Sequence, residues 1–388
     1  MRTILKTLAC ALALPLALAA CGGGGDGGGS TATGTLRVQM TDSPSCGFDH
    51  VYVTVSKVRV NANAQAGDSD GGWTDVTLSS PQKIDLLSLT NGVLADLGQT
   101  ALPAGQYQQV RLVLTQNHGN TLANSIVPTD GSEQALDTAS ATQSGYKIIR
   151  PFTVQPNTLV DLVLDFNACK SIVQKGNGSY SLKPVVTATP TVVSGTISGY
   201  VAPAEVGAAV YAEQNGQVIK GTVADSNGQF VLTPLEQSST KGNYDVVIVK
   251  NNVATGIVRS VPVVVNTSTI IATSSVPITL PTSIMHVASG TVLPVSAQAI
   301  VRALQSISGI SYELTSANAN SDTGVYALSL PAAAPLVGTY SGSLPIALTP
   351  VASAAGQYTA EADSVSGATH SAAVNVSTSD QTGVNFSF

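Results

Sequence analysis

Charge is what this chain has least of. Only 10% of its 388 residues are Asp, Glu, Lys or Arg, against roughly 25% in an average soluble domain. The 17 Lys and Arg gather into no basic stripe, and the formal net charge is −6. Nucleic acid and anionic membrane surfaces are therefore excluded as partners held by electrostatics. Aromatic residues are scarce too, 5% of the chain with Trp73 as the single tryptophan, which leaves little for a stacked carbohydrate platform. The four cysteines and four histidines form no CxxC and no HExxH, and there is no GxSxG elbow or phosphate-cradling loop followed by Lys. Ser238-Ser239-Thr240-Lys241 matches SxxK in letters only, because it runs into Gly242 where that motif needs a helix. No residue pattern demands a chemistry, and the expectation is that the chain is not an enzyme.

Ser, Thr, Ala, Val and Gly carry the bulk of the sequence, which suits short strands joined by polar turns. Residues 36–60, LRVQMTDSPSCGFDHVYVTVSKVRV, give a strand, a break at Thr41-Asp42-Ser43-Pro44 and a second strand. In that second strand Val51, Val53, Val55, Val58 and Val60 keep period two except at Ser56, where a bulge fits. Further alternating runs are predicted at 73–78, 106–116, 146–154, 158–166 and 179–189, with a strand and short helical turn over 83–97. The fold class is all-β, with two or three β-sandwich domains in tandem.

The N-terminus reads as an export signal. Residues 1–20, MRTILKTLACALALPLALAA, place Arg2 and Lys6 before an apolar run that ends in small residues. Leu18-Ala19-Ala20-Cys21 resembles the bacterial lipobox, which implies cleavage before Cys21, its palmitate-type acylation and a lipid-anchored membrane protein of the cell envelope. By the same resemblance Gly22 directs the chain to the outer membrane. Residues 21–33 hold the lipidated Cys and a Gly-rich tether. Loss of the leader leaves 15 basic against 23 acidic residues, a net charge of −8. Cys46 and Cys169 are then the remaining thiols. In an oxidising compartment they form a disulfide, and the alternative is a pair of buried free thiols. The bridge would close 123 residues and contribute about 4 to 5 kcal/mol in the chain-entropy treatment.

Over 34–190, LRVQMTDSP, VYVTVSKVRV, IDLLSL, LPAGQYQQVRLVL, LVLDFNACKSIV and YSLKPVV resemble the bacterial family known as domain of unknown function 4382. The resemblance implies an exported β domain and no established activity. Asn167 and Cys169 depart from its pattern, so the Cys pair reads as a local addition. Residues 194–265 resemble the carboxypeptidase regulatory-like, or transthyretin-like, sandwich. The likeness rests on strands at 195–201 and 208–213, the turn Asp225-Ser226-Asn227-Gly228, and the strand opening at Tyr244. Residues 266–388 echo it as a divergent second copy: SGTV at 289–292 repeats SGTI at 194–197, and AIVRALQ repeats AAVYAEQ.

The acids are the functional candidates. Asp42, Asp49 and Asp165 are expected at one end of the first sandwich, with His50 near. Asp68, Asp70 and Asp75 surround a Gly-rich loop with partial likeness to a calcium loop, although it lacks the bidentate Glu and regular spacing of one. Turn and capping roles are the plainer reading of the same residues. The functional expectation is an envelope lipoprotein that binds a macromolecule such as a polysaccharide or a protein, through Asp42, Asp49, Trp73 and Asp165. A spacer without ligand and a carboxylate-based hydrolase are the alternatives.

Overall fold

The computed structural model describes residues 32–42, 47–119, 121–129, 131–138 and 142–388. The leader, Cys21, the tether through residue 31, Ser43-Pro44 and Cys46 lie outside the described residues.

Alternation along the opening strands builds the first sandwich. Leu36, Val38 and Met40 on Thr33–Asp42 and Val51, Val53, Val55, Val58 and Val60 on Phe48–Asn61 are all fully buried in one core. Their intervening residues face outward, as period two requires. One sheet runs Val186–Pro190, Leu159–Phe166, Thr33–Asp42, Ala95–Pro103, with the middle two strands parallel. The facing sheet runs Ile172–Gln174, Tyr180–Leu182, Gln134–Asp137, Ser125–Pro128, Phe48–Asn61, Gly105–Leu114, Tyr146–Val154, and Thr74–Asp85 also pairs with Phe48–Asn61. The ladder slips between Val55 and Lys57 on both sides, so the bulge stands at Ser56 as the sequence predicts. The expected strand over 179–189 is instead two strands, Tyr180–Leu182 and Val186–Pro190, in opposite sheets. Pro184 lies in the gap between them and cannot donate to a ladder.

Two further sheet pairs follow, and they share one pairing scheme. Ser194–Tyr200 pairs antiparallel with Gln229–Glu236 and parallel with Ser268–Ile270; Met285–Leu293 pairs antiparallel with Val325–Pro331 and parallel with Phe386–Ser387. The facing sheets are likewise matched, Ala209–Gln214 standing between Gln217–Val223 and Tyr244–Val249, and Ile300–Ile307 between Ile310–Asn318 and Gln357–Asp363. Local chemistry repeats with topology. Gly228 and Gly324 both take positive φ (+77° and +71°), and a Cβ on either would overlap a carbonyl of the opening strand, Val201 O or Val292 O. The Tyr244 hydroxyl donates to Glu236 O at 2.8 Å, and the Tyr358 hydroxyl donates to Pro331 O at 2.6 Å.

One insertion breaks the parallel. In the third sandwich, Leu336–Thr339 leaves its own sheets and pairs in parallel with Gly256–Val261 of the second, carrying Thr349–Pro350 beyond it. The second and third sandwiches thus share a six-stranded sheet, and residues Ala32–Phe388 form one unit. Among the described residues no helix is long and apolar enough to cross a membrane.

Candidate functional site

The acids singled out in the sequence do not converge. Thr41 stands opposite Asp165 and Asp42 opposite Phe166 in the parallel ladder, so Asp42 and Asp165 point to opposite faces of their sheet. Asp42 is buried and its Oδ1 accepts from Ala168 N at 3.1 Å, at the start of the short helix Ala168–Ser171. Asp165 is buried on the other face, 2.9 Å from Lys220 Nζ of the second sandwich; burial raises its pKa and the ammonium opposes that rise. Asp49 is exposed and accepts from the Thr129 hydroxyl at 3.1 Å. Asp42 and Asp165 do share one end of their parallel strands, but a one-residue offset in register that was not visible in the sequence turns them to opposite faces, so they do not meet.

The Gly-rich loop is organised by cations of the protein. Asp68 pairs with Arg111, whose side chain is 7% exposed. Asp70 closes its own turn by accepting from Gly67 N at 2.8 Å. Asp75 lies between Lys57 Nζ at 2.8 Å and Arg59 Nε at 2.7 Å; burial works against its ionised form, but these bonds hold its pKa below the ordinary value. Trp73 completes the cluster. Its Nε1 donates to Gly67 O at 2.9 Å, and the Arg59 and Arg111 guanidinium groups lie 5.1 and 4.9 Å from its ring centroid. The ring is engaged in cation–π contacts. Among the described residues no group of three or more His, Cys, Asp and Glu side chains is arranged to hold a metal ion.

His50 finds a partner that sequence reasoning passed over. Its Nδ1 lies 2.7 Å from Asp85 Oδ2, while Asp85 Oδ1 accepts from Val51 N and Leu87 N. The imidazole stacks on Tyr52 at 5.4 Å, and Lys83 Nζ sits 4.6 Å from the same phenol ring. The signal was weak, since Asp85 is thirty-five residues away and serves as N-cap to the 3-10 turn Leu86–Ser88.

The most concentrated chemistry lies where the three sandwiches meet. Arg302 donates through Nε to Asp363 at 2.8 Å, through Nη1 to Glu313 at 3.2 Å, and through Nη2 to Glu361. Glu361 is its directly opposed cross-strand neighbour, and Asp363 is two residues further along the same face. Glu313 also takes Lys170 Nζ of the first sandwich at 2.5 Å, and its backbone N–H donates to Glu213 of the second at 3.1 Å. Burial, reinforced by the charge of Glu313, pushes the Glu213 carboxyl well above the usual range, against the hydrogen bond it accepts from the Glu313 backbone. A group whose pKa is raised on folding stabilises the fold below its unfolded pKa and loses that contribution as pH rises toward the folded value. Glu213→Gln is therefore expected to gain on wild type from about pH 4.5 upward, by up to about 1.4 kcal/mol per pH unit. Paired denaturation curves from pH 4 to 8 check this; parallel curves would contradict it.

Between the first and second sandwiches a cleft of 360 Å³ is lined by Lys147–Arg150, Val186–Thr189, Val218, Ile219, Glu236 and Lys241. Arg150 Nη2 donates to Glu236 at 2.7 Å across it. Ile149 and Ile219 remain 52% and 40% exposed there.

Residues 33–184 match the family model described as domain of unknown function (DUF4382). No curated protein matches the chain. Among solved structures, it is similar to a chain of a type II cohesin–X-dockerin complex from Acetivibrio cellulolyticus, at 28% identity over 23% of this chain, with a TM-score of 0.19. It spans 58% of that chain. The major pilin subunit of Bacillus cereus matches at 10% identity over 92% of this chain and 99% of its own, with a TM-score of 0.14. A Ca2+-stabilized adhesin of an Antarctic bacterium matches at 9% identity over 91% and 100%, with a TM-score of 0.12. At these TM-scores the likenesses carry no functional argument.

Proposed function

We propose that the chain is an envelope lipoprotein, anchored through Cys21 in the outer membrane, whose joined sandwiches hold a binding surface and carry out no chemistry of their own. The observation that carries this reading is the fate of the acids. Asp68, Asp75 and Asp165 each face a Lys or Arg of the protein, and Asp42, Asp49 and Asp70 accept from backbone or hydroxyl donors. A carboxylate held this way is a structural partner, whereas general acid–base work needs it poised toward an open site. The reading includes a bridge from Cys46 to Cys169, supported by the half-cystine state of Cys169. It also takes 194–265 as a carboxypeptidase regulatory-like unit and 266–388 as its divergent copy, supported by their common pairing scheme.

Two assays in one preparation test it. Full-length chain in a Gram-negative host is expected to label with palmitate, and Cys21→Ala to abolish the label. Residues 22–388 are expected to co-sediment with isolated sacculi or outer-membrane vesicles while leaving the polymer intact. Polymer degradation that Asp42→Asn or Asp85→Asn abolishes would replace the reading with an enzymatic one; absence from every pellet would remove the binding role.

A further inference from the structure

The cleft between the first and second sandwiches is bordered by three strands that each end a sheet: Tyr146–Val154, Val186–Pro190 and Gln217–Val223. A terminal strand keeps one side of its backbone without a ladder, which makes it a template for another extended chain. Three such edges open onto one space. The chain already uses strand addition internally, since Leu336–Thr339 extends the sheet of the second sandwich at Gly256–Val261.

The lining also states what kind of chain fits. Its ionisable side chains are Lys147, Arg150 and Lys241 against Glu236, with Tyr244 neutral. Lys147 makes no ion pair among the described residues, and Lys241 is 3.8 Å from a Glu236 already bonded to Arg150. A surplus of two positive charges thus collects in a protein whose net charge is −6. Between these cations, Ile149 and Ile219 present exposed apolar side chains. We infer that the cleft binds an extended acidic polypeptide segment by strand addition, with carboxylates toward Lys147 and Lys241 and alternate apolar side chains against Ile149 and Ile219. A peptide fits better than an acidic polysaccharide, because only a peptide satisfies the edge N–H and C=O groups in register. The sole aromatic lining residue, Tyr244, is buried with its hydroxyl on Glu236 O, so no stacking surface for sugar rings is present.

This inference names the partner class within the binding reading above and rests on it. The test uses residues 22–388 and fluorescence anisotropy with four probes: an alternating Glu-Val decapeptide, its Lys-Val counterpart, the Glu-Val peptide N-methylated at alternate residues, and polygalacturonate. Saturable binding of the Glu-Val peptide is expected, weakened at least tenfold by N-methylation and by raising salt, with no binding of the Lys-Val peptide. Lys147→Glu with Lys241→Glu, and separately Ile219→Glu, change exposed residues and are each expected to weaken it at least tenfold with the fold intact by circular dichroism. Equal binding by the N-methylated peptide, unchanged binding by both variants, or preference for polygalacturonate would overturn the inference. If no peptide binds while the chain still co-sediments with sacculi or vesicles, the peptide inference fails and the binding reading stands. Loss in both assays removes both.

Discussion

Arg302→Met is expected to destabilise the protein by about 3 to 5 kcal/mol, the range for removing one partner of a buried charge network. The guanidinium, 9% exposed, holds together Glu313, Glu361 and Asp363. Methionine keeps the apolar stem but not the guanidinium, and three carboxylates are left with Lys170 as their one described cationic partner. Arg302→Lys recovers part of the loss at most, because a single ammonium cannot span three acceptors in the plane a guanidinium offers. Acidification should reduce the deficit of the Met variant, since protonating any of the three relieves the repulsion. Chemical denaturation at pH 7 and pH 5 measures both effects; a loss below about 1 kcal/mol would place Arg302 with ordinary surface charges.

Lys220→Met is expected to cost a similar amount, about 3 to 5 kcal/mol, for a related reason. Lys220 and Asp165 are 3% and 9% exposed in their side chains and face each other across the first and second sandwiches. Removing the ammonium leaves a buried carboxylate without its counter-charge, and its pKa, already raised by burial, rises further. The sign of the pH effect follows: the deficit of Lys220→Met shrinks as pH falls from 7 toward 4, where the folded variant takes up the proton. Adding Asp165→Leu is expected to restore most of the stability, because two apolar residues need no desolvation of charge. A double variant as unstable as the sum of the singles would show that the pair does not act as a unit.

Alternation made the opening strands and the bulge at Ser56 legible, since burial of five valines on one face tolerates a single register only. Turn chemistry made the positive φ of Gly228 legible for a similar local reason. What escaped was long-range. Lys170 and Glu313 are 143 residues apart and Arg302 and Glu361 are 59 apart, and no periodicity encodes such pairings. In AIVRALQ, Arg302 replaces an apolar residue amid a buried run, and Glu361-Ala362-Asp363 alternates beside it. That local conflict with the hydrophobic pattern was the available signal, and it marks a junction. The separation of Asp42 from Asp165 and the diversion of Leu336–Thr339 into a neighbouring sheet depend on register and packing between distant segments, to which composition is blind.

The central claim is that buried charges and a shared sheet make the three sandwiches one unit that presents its cleft as a fixed surface. Scanning calorimetry of residues 22–388, with and without Arg302→Met, tests it most directly. One transition with equal calorimetric and van't Hoff enthalpies, shifted as a whole by the substitution, is the expected result. Two or three resolved transitions, only one of them moved by Arg302→Met, would contradict it.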